Sequence, residues 1–139
     1  MAEIPDDVRE LLEGANFGHL ATLMPDGSPH SVAVWVGLEG GRVVFFTQRG
    51  SLKARNCERD PRVAISITDH GRPYRTARIR GRVAGTRTGE DALEVMDRLA
   101  RRYTGSPFPV RGPNGVLFEI EPERVGFTEL PFEHAPSSA

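Results

Sequence analysis

Between Thr47 and Asn56 the chain reads TQRGSLKARN, directly after the apolar run VVFF (Val43 to Phe46) and before CERDPRVAISI. Three cations and several small polar side chains in ten residues suit the capture of an anion. A strand that stops at a glycine and turns into a helix exposes the unpaired N–H groups of the first helical turn. Those groups, with the helix dipole, favour negative charge. Ser51 is placed either to cap that helix or to donate its hydroxyl to the ligand. Lys53 adds a mobile charge, and Arg49 or Arg55 a planar fork suited to phosphate. Thr47 and Gln48, at the strand end, are positioned to hydrogen-bond a more interior part of the same molecule. The plainer alternative is a serine-capped helix with solvated Lys and Arg, a common arrangement.

Elsewhere the chemistry-bearing residues are sparse. His19, His30, His70 and His134 form no i, i+4 pair and have no Cys or carboxylate at metal-ligand spacing, so no metal site is expected. Cys57 is the only cysteine, which rules out an internal disulfide. With no partner base in view it reads as packed rather than nucleophilic. Arg78, Arg80 and Arg82 share one face of an alternating strand, either a solvated outer face or the wall of an anion pocket. Trp35 is aimed at a bound ring or a dimer partner, or is packed in the core. His30 follows a Pro-Asp-Gly turn, at the surface or at a pocket mouth. Tyr103 ends a helix, where packing suffices to explain it. No catalytic triad or carboxylate pair is visible.

The elements that must position these residues follow from periodicity. Val8, Leu11 and Leu12 recur at helical spacing after Pro5, Asp6 and Asp7, with Gly14 as a stop. FGHLATLM (Phe17 to Met24), HSVAVWVGL (His30 to Leu38) and RVVFFTQ (Arg42 to Gln48) read as three strands. The turns Pro25-Asp26-Gly27 and Glu39-Gly40-Gly41 join them into a meander. A short helix over Ser51 to Arg59 ends at Asp60-Pro61, before a strand at Arg62 to Thr68. In TARIRGRVAGT, Ala77, Ile79, Gly81 and Val83 point one way and the three arginines the other. Thr88 is the expected N-cap of a helix whose apolar face runs from Ala92 to Tyr103. A Pro/Gly-rich loop over Ser106 to Gly115 then leads into one or two closing strands at Val116 to Leu130. Six or seven antiparallel strands with three helices predict a mainly β fold, a barrel with peripheral helices, since closure removes exposed edges. One domain over residues 1–130 and a loose tail over 131–139 account for the chain.

At 139 residues, one core is the natural expectation. Eighteen basic and nineteen acidic residues give a formal net charge of −1, so there is no global field for nucleic acid or anionic membrane. Any anion site must be local, and no nucleic-acid module is recognisable. The N-terminus MAEIPDDVRELLEG is acidic and amphipathic, unlike a signal peptide, and no apolar run approaches the roughly 20 residues that cross a bilayer. A cytoplasmic protein is expected.

Taken in order, GHLATLMPDGSPHSVAVWV, VVFFTQRGSLKARNCERDPRVAISI and RIRGRVAGT resemble the split β-barrel family of flavin- and deazaflavin-dependent oxidoreductases. That superfamily includes pyridoxamine 5′-phosphate oxidase, and the resemblance covers roughly residues 5–130. The short length and the GSLKARN…RDPRVAISI pattern look most like the branch that mostly uses coenzyme F420, with FMN in some members. The resemblance implies a homodimer with two cofactor sites at its interface. It implies that Ser51, Lys53 and Arg49 or Arg55 hold the cofactor phosphate while Asn56 braces the helix. Ser31, Val32, Ala33 and Val34, with Thr47 and Gln48, would flank the ring, and Arg78 and Arg80 would meet the cofactor or its acidic tail. The implied activity is hydride transfer from reduced F420 to a small unsaturated substrate. The alternatives are an FMN-dependent oxidoreductase of the same fold and a non-enzymatic flavin or haem carrier. The pyridoxamine phosphate oxidases proper are longer and end in a basic segment, whereas here no arginine follows Arg124. That departure counts against vitamin B6 oxidation.

Overall fold

A computed structural model describes residues 2–138. Helix α1 (Asp6–Glu13) buries Val8, Leu11 and Leu12, the stripe expected from their spacing, and stops at Gly14. Seven strands follow: β1 (Gly18–Leu23), β2 (Pro29–Val34), β3 (Gly37–Glu39), β4 (Arg42–Gln48), β5 (Arg62–Thr68), β6 (Arg75–Arg87) and β7 (Gly115–Glu129). Helix α2 (Leu52–Arg59) lies between β4 and β5, and α3 (Gly89–Thr104) between β6 and β7.

All pairings are antiparallel, in the order β2-β1-β5-β6-β7-β4-β3. The two edge strands, β2 and β3, are consecutive in the chain and separated only by Trp35 and Val36. Three peptide steps span at most about 11 Å, so the sheet has to curl until its edges nearly meet. The result is a barrel with one unpaired seam, the split barrel expected.

The three-strand meander is not what forms. HSVAVWVGL breaks at Trp35-Val36: its first part pairs with β1 and its last part with β4, and β2 has no ladder to β4. The reason lies in α3. Val36 N–H donates to the Tyr103 hydroxyl at 3.2 Å, and that hydroxyl donates to the Asn16 carbonyl at 2.5 Å. Arg102 Nη1 donates to the Leu12 and Val36 carbonyls at 3.1 and 3.4 Å. Side chains from the last turn of α3 thus serve backbone groups that a neighbouring strand would otherwise have served.

Inward-facing Leu20, Phe45, Ile65, Ile79, Phe118 and Ile120 fill the barrel, and Val8, Leu11 and Leu12 of α1 join the same cluster. Phe45 and Phe118 are direct cross-strand partners with rings stacked 5.1 Å apart. Val44 and Leu117 face outward yet are fully buried, because Ala92 and Val95 of α3 cover them. Along β6 the expected alternation holds: Ala77, Ile79 and Gly81 are buried while Arg78, Arg80 and Arg82 are exposed. The closing segment is a single strand, its register against β6 shifting at Arg80/Gly81 and Val83/Gly85. Thr88 takes the N-cap position of α3 but makes no side-chain capping bond, a departure from the expected capping signal. Residues 131–138 form neither helix nor strand, although the Phe132 and His134 rings lie 5.3 and 6.4 Å from Tyr74. No described helix is long and apolar enough to cross a membrane.

Candidate functional site

The turn from β4 into α2 is built as a clip. Gly50 takes φ +78, a conformation most side chains resist, and redirects the chain. Ser51 caps α2 by accepting the Ala54 N–H at 3.3 Å, and its hydroxyl shares a second hydrogen bond with Thr47 Oγ1 at 2.9 Å. Of the two roles open to Ser51, the structure shows the cap. Asn56 is fully buried and ties α2 to the barrel: its amide donates to Thr22 Oγ1 at 3.0 Å and contacts Met24 Sδ at 3.4 Å, and its carbonyl accepts from Arg59 at 2.7 Å. Burial, with the Glu58 charge adding to it, pushes the Cys57 thiol up to about 12, so it is inert at neutral pH.

Above this clip lies a cavity of about 290 Å³. Its walls divide by element. Strand β2 and the seam supply Ala33, Val34 and Trp35; β4 supplies Phe46; α3 supplies Met96 and Leu99. The polar groups, Thr47, Gln48 and Lys53, all come from the clip. Lys53 has no carboxylate partner among the described residues. The arrangement is an apolar slot with a donor-bearing end, suited to a planar molecule carrying an anion.

Phe108 and Phe17 complete the walls. Phe108 is held by one carboxylate: Asp97 Oδ1 accepts the Phe108 N–H at 3.1 Å and Arg111 Nη1 at 2.6 Å, and Arg111 also donates to the Phe108 carbonyl at 3.2 Å. The Arg111 guanidinium holds the Asp97 carboxyl below its ordinary range, against a smaller opposing effect of burial. The Phe108 ring meets Trp35 and Phe46 edge-on at 6.4 and 5.6 Å, and Trp35 stacks on Tyr103 at 5.1 Å. At the far end of that loop, the Asn114 carbonyl accepts the Arg49 N–H at 2.7 Å, linking loop to clip.

Of the thirteen candidate residues, Ala33, Val34, Thr47, Gln48 and Lys53 line this cavity. Ser51 and Asn56 stand behind it as supports. Val32 points into the barrel, where it packs on the core, and Ser31 is exposed on the opposite face of β2. Arg49 and Arg55 are exposed, and neither lines the cavity. Arg78 and Arg80 border a different groove, of about 460 Å³, with Arg124 on the outer face of β5, β6 and β7. Arg78 lies across β7 over Gly126 and donates to Thr128 Oγ1 at 2.8 Å. Phe17, Phe46, Met96, Leu99 and Phe108 escaped the sequence reading, since their spacing was accounted for by strand, helix or loop. Trp35, read as aimed at a ring or a partner or else as packed, lines the cavity and stacks on Tyr103.

A family description, pyridoxamine 5′-phosphate oxidase, matches residues 4–129. The chain belongs to the pyridoxamine 5′-phosphate oxidase family. Within that family it is 31% identical over 138 residues to the pyridoxine/pyridoxamine 5′-phosphate oxidase of Rubrobacter xylanophilus, covering 78% of this chain and 63% of that protein. It is 32% identical over 124 residues to the F420H2-dependent biliverdin reductase of Mycobacterium tuberculosis, covering 88% of this chain and 86% of the relative. Among solved structures, one described as an F420 reductase superposes with a TM-score of 0.75 at 30% identity, covering 88% of this chain and 98% of the other. The chain therefore shares the split-barrel fold of this family and is related to oxidoreductases, while it spans under two thirds of the length of the Rubrobacter relative.

Proposed function

We propose that the protein is an F420-dependent oxidoreductase that reduces a small unsaturated organic substrate, working as a homodimer. The observation that carries this reading is the cavity whose apolar walls come from β2, β4 and α3 and whose polar groups come from the clip. The residues present fit a deazaflavin. Ala33, Val34, Trp35 and Phe46 would flank its ring, Thr47 and Gln48 would bond its polar edge, and Lys53 would hold the anionic end. When bound in reduced form, such a cofactor supplies a hydride. The protein's share is to fix the ring's orientation, exclude water behind Phe108, and anchor the charge. Two relatives named for F420 chemistry support the choice of cofactor. FMN is the second reading, favoured by kinship to a pyridoxamine phosphate oxidase. A homodimer is supported by the outer face of β2, β1 and β5, where Ser31, Ala33, Ala21, Ala64 and Ser66 surround His19 in a surface of otherwise small side chains beside an unpaired edge strand.

Equilibrium titration of the apoprotein with F420 and with FMN tests the reading. Micromolar or tighter F420 binding and weaker FMN binding are expected. Lys53→Ala should lose about 1.5–3 kcal/mol, the scale of a charged hydrogen bond, or roughly ten- to hundredfold in Kd. Tighter FMN than F420 binding would transfer the assignment to the flavin. Equal affinity of the variant for F420 would remove Lys53 from the site.

A further inference from the structure

Phe17 belongs to two cavities. Besides the cofactor slot, it lines a second cleft of about 380 Å³ with His19, His70, His134, Asp69 and Thr68. Three of the chain's four histidines thus meet in one place. His19, which lines only the second cleft, stands beside the slot. It lies directly opposite Ala33 in the β1–β2 register, and Ala33 lines the cofactor slot. Opposed residues of an antiparallel pair share a face, with Cβ atoms about 4.5–5.5 Å apart. Among the described residues that line the slot, Lys53 alone ionises, and it sits at the clip end.

A reduction by hydride also consumes a proton, and among the described residues this subunit brings to the slot no further acid stands ready to give it. Resting on the proposed function, we propose that the second cleft holds the acceptor, a conjugated compound bearing a carbonyl or carboxylate oxygen, and that His19 is its proton donor. Hydride addition to an electrophilic carbon of the acceptor breaks a π bond and leaves the electron pair on the neighbouring atom. The His19 imidazolium N–H breaks, and its proton bonds to that atom. The acceptor gains two electrons and two hydrogens, and the cofactor loses two electrons and one hydrogen with them. The imidazole then regains its proton from water that enters the second cleft, which His19 lines.

The surroundings of His19 suit that role. Strand β2 presents neutral Ala33, and β5 presents Ser66 and Thr68, all uncharged. Beyond Ser66, Arg78 is turned over Gly126 toward Thr128. The connection after β5 brings Asp69 and His70, and the tail brings His134. Burial opposes ionisation of Asp69, but N–H groups of Arg72 and Gly71 at 3.0 Å and the Arg75 guanidinium at 2.7 Å outweigh it, holding the carboxyl below its ordinary range. A fixed negative charge therefore stands in the cleft wall. Because that carboxylate is already engaged, the cleft's free polar groups are mostly imidazoles, which suit an acceptor oxygen.

The experiment uses the full chain loaded with F420 and biliverdin as the probe acceptor, a conjugated molecule with carboxylates. In proton NMR, with resonances assigned from His19→Gln and His70→Gln, biliverdin should shift the His19 and His70 ring signals and leave His30 in place. In turnover with reduced F420, His19→Gln should lower kcat at least tenfold, abolish its alkaline fall, and keep F420 affinity within twofold, while His70→Gln retains the alkaline fall. An unmoved His19 signal at saturating biliverdin, or a variant with the wild-type rate and pH profile, overturns the proposal. Wild-type protein that binds F420 but leaves biliverdin unreduced overturns the acceptor class. Wild-type protein that fails to bind F420 at all overturns the proposed function itself.

Discussion

Cys57 and Lys53 are four positions apart on one short helix, and their surroundings set them opposite tasks. Lys53 reaches the cavity without a carboxylate partner among the described residues, so its charge is available to a ligand. Cys57 is 4% exposed, and its thiol, pushed up to about 12, has almost no thiolate at neutral pH. Native protein at pH 8 should therefore resist iodoacetamide for hours, while denatured protein is alkylated at once, as intact-mass measurement would show. Rapid labelling of the native form would mean that α2 leaves the barrel readily, and the clip would then not be preformed. Asn56 argues for the preformed state, since each of its polar atoms is satisfied inside the protein.

The loop between α3 and β7 depends on one carboxylate for its setting over the cavity. Asp97 is held below its ordinary range chiefly by Arg111, so its contribution is present above the unfolded carboxyl value of about 3.9 and is lost as pH falls through the lower folded value. The loop should therefore keep its position from pH 5 to 8 and loosen only in acid. Asp97→Asn should loosen it at neutral pH as well. Trp35 is the sole tryptophan and touches Phe108, so its emission should change in the variant while far-ultraviolet dichroism does not. An unchanged emission spectrum would show that Phe108 is held by packing alone. Elements with two unlike faces, such as α1 and β6, were legible in the sequence because alternation records which side meets the core. The break at Trp35-Val36 was not, because its cause is a tyrosine 67 residues away. The clip was legible as local chemistry. The aromatic walls were not, since Phe17, Phe46 and Phe108 converge only through the tertiary fold.

For the whole molecule, the longest ladder, β6 with β7, closes around a position that tolerates no side chain. A Cβ on Gly81 would stand 2.2 Å from the Glu121 carbonyl oxygen and 3.1 Å from its carbon, both backbone atoms. Gly81→Ala must shift the ladder at its bulge and should cost about 1–3 kcal/mol, the usual range for overpacking, read from the denaturant midpoint. Gly112→Ala has open space around it and serves as the control, with the midpoint unchanged within error. Equal midpoints for the two variants would mean that the ladder yields there. The seam between β2 and β3 has a different bearing on the whole. Trp35 is at once part of the joint that brings the two margins of the sheet together and part of the surface offered to a ligand. Whatever rests against that ring therefore also rests against the joint between those margins. Were the proposed coenzyme to bind there, loaded protein should outlast empty protein under limited proteolysis, because a ligand held only by the folded chain stabilises it.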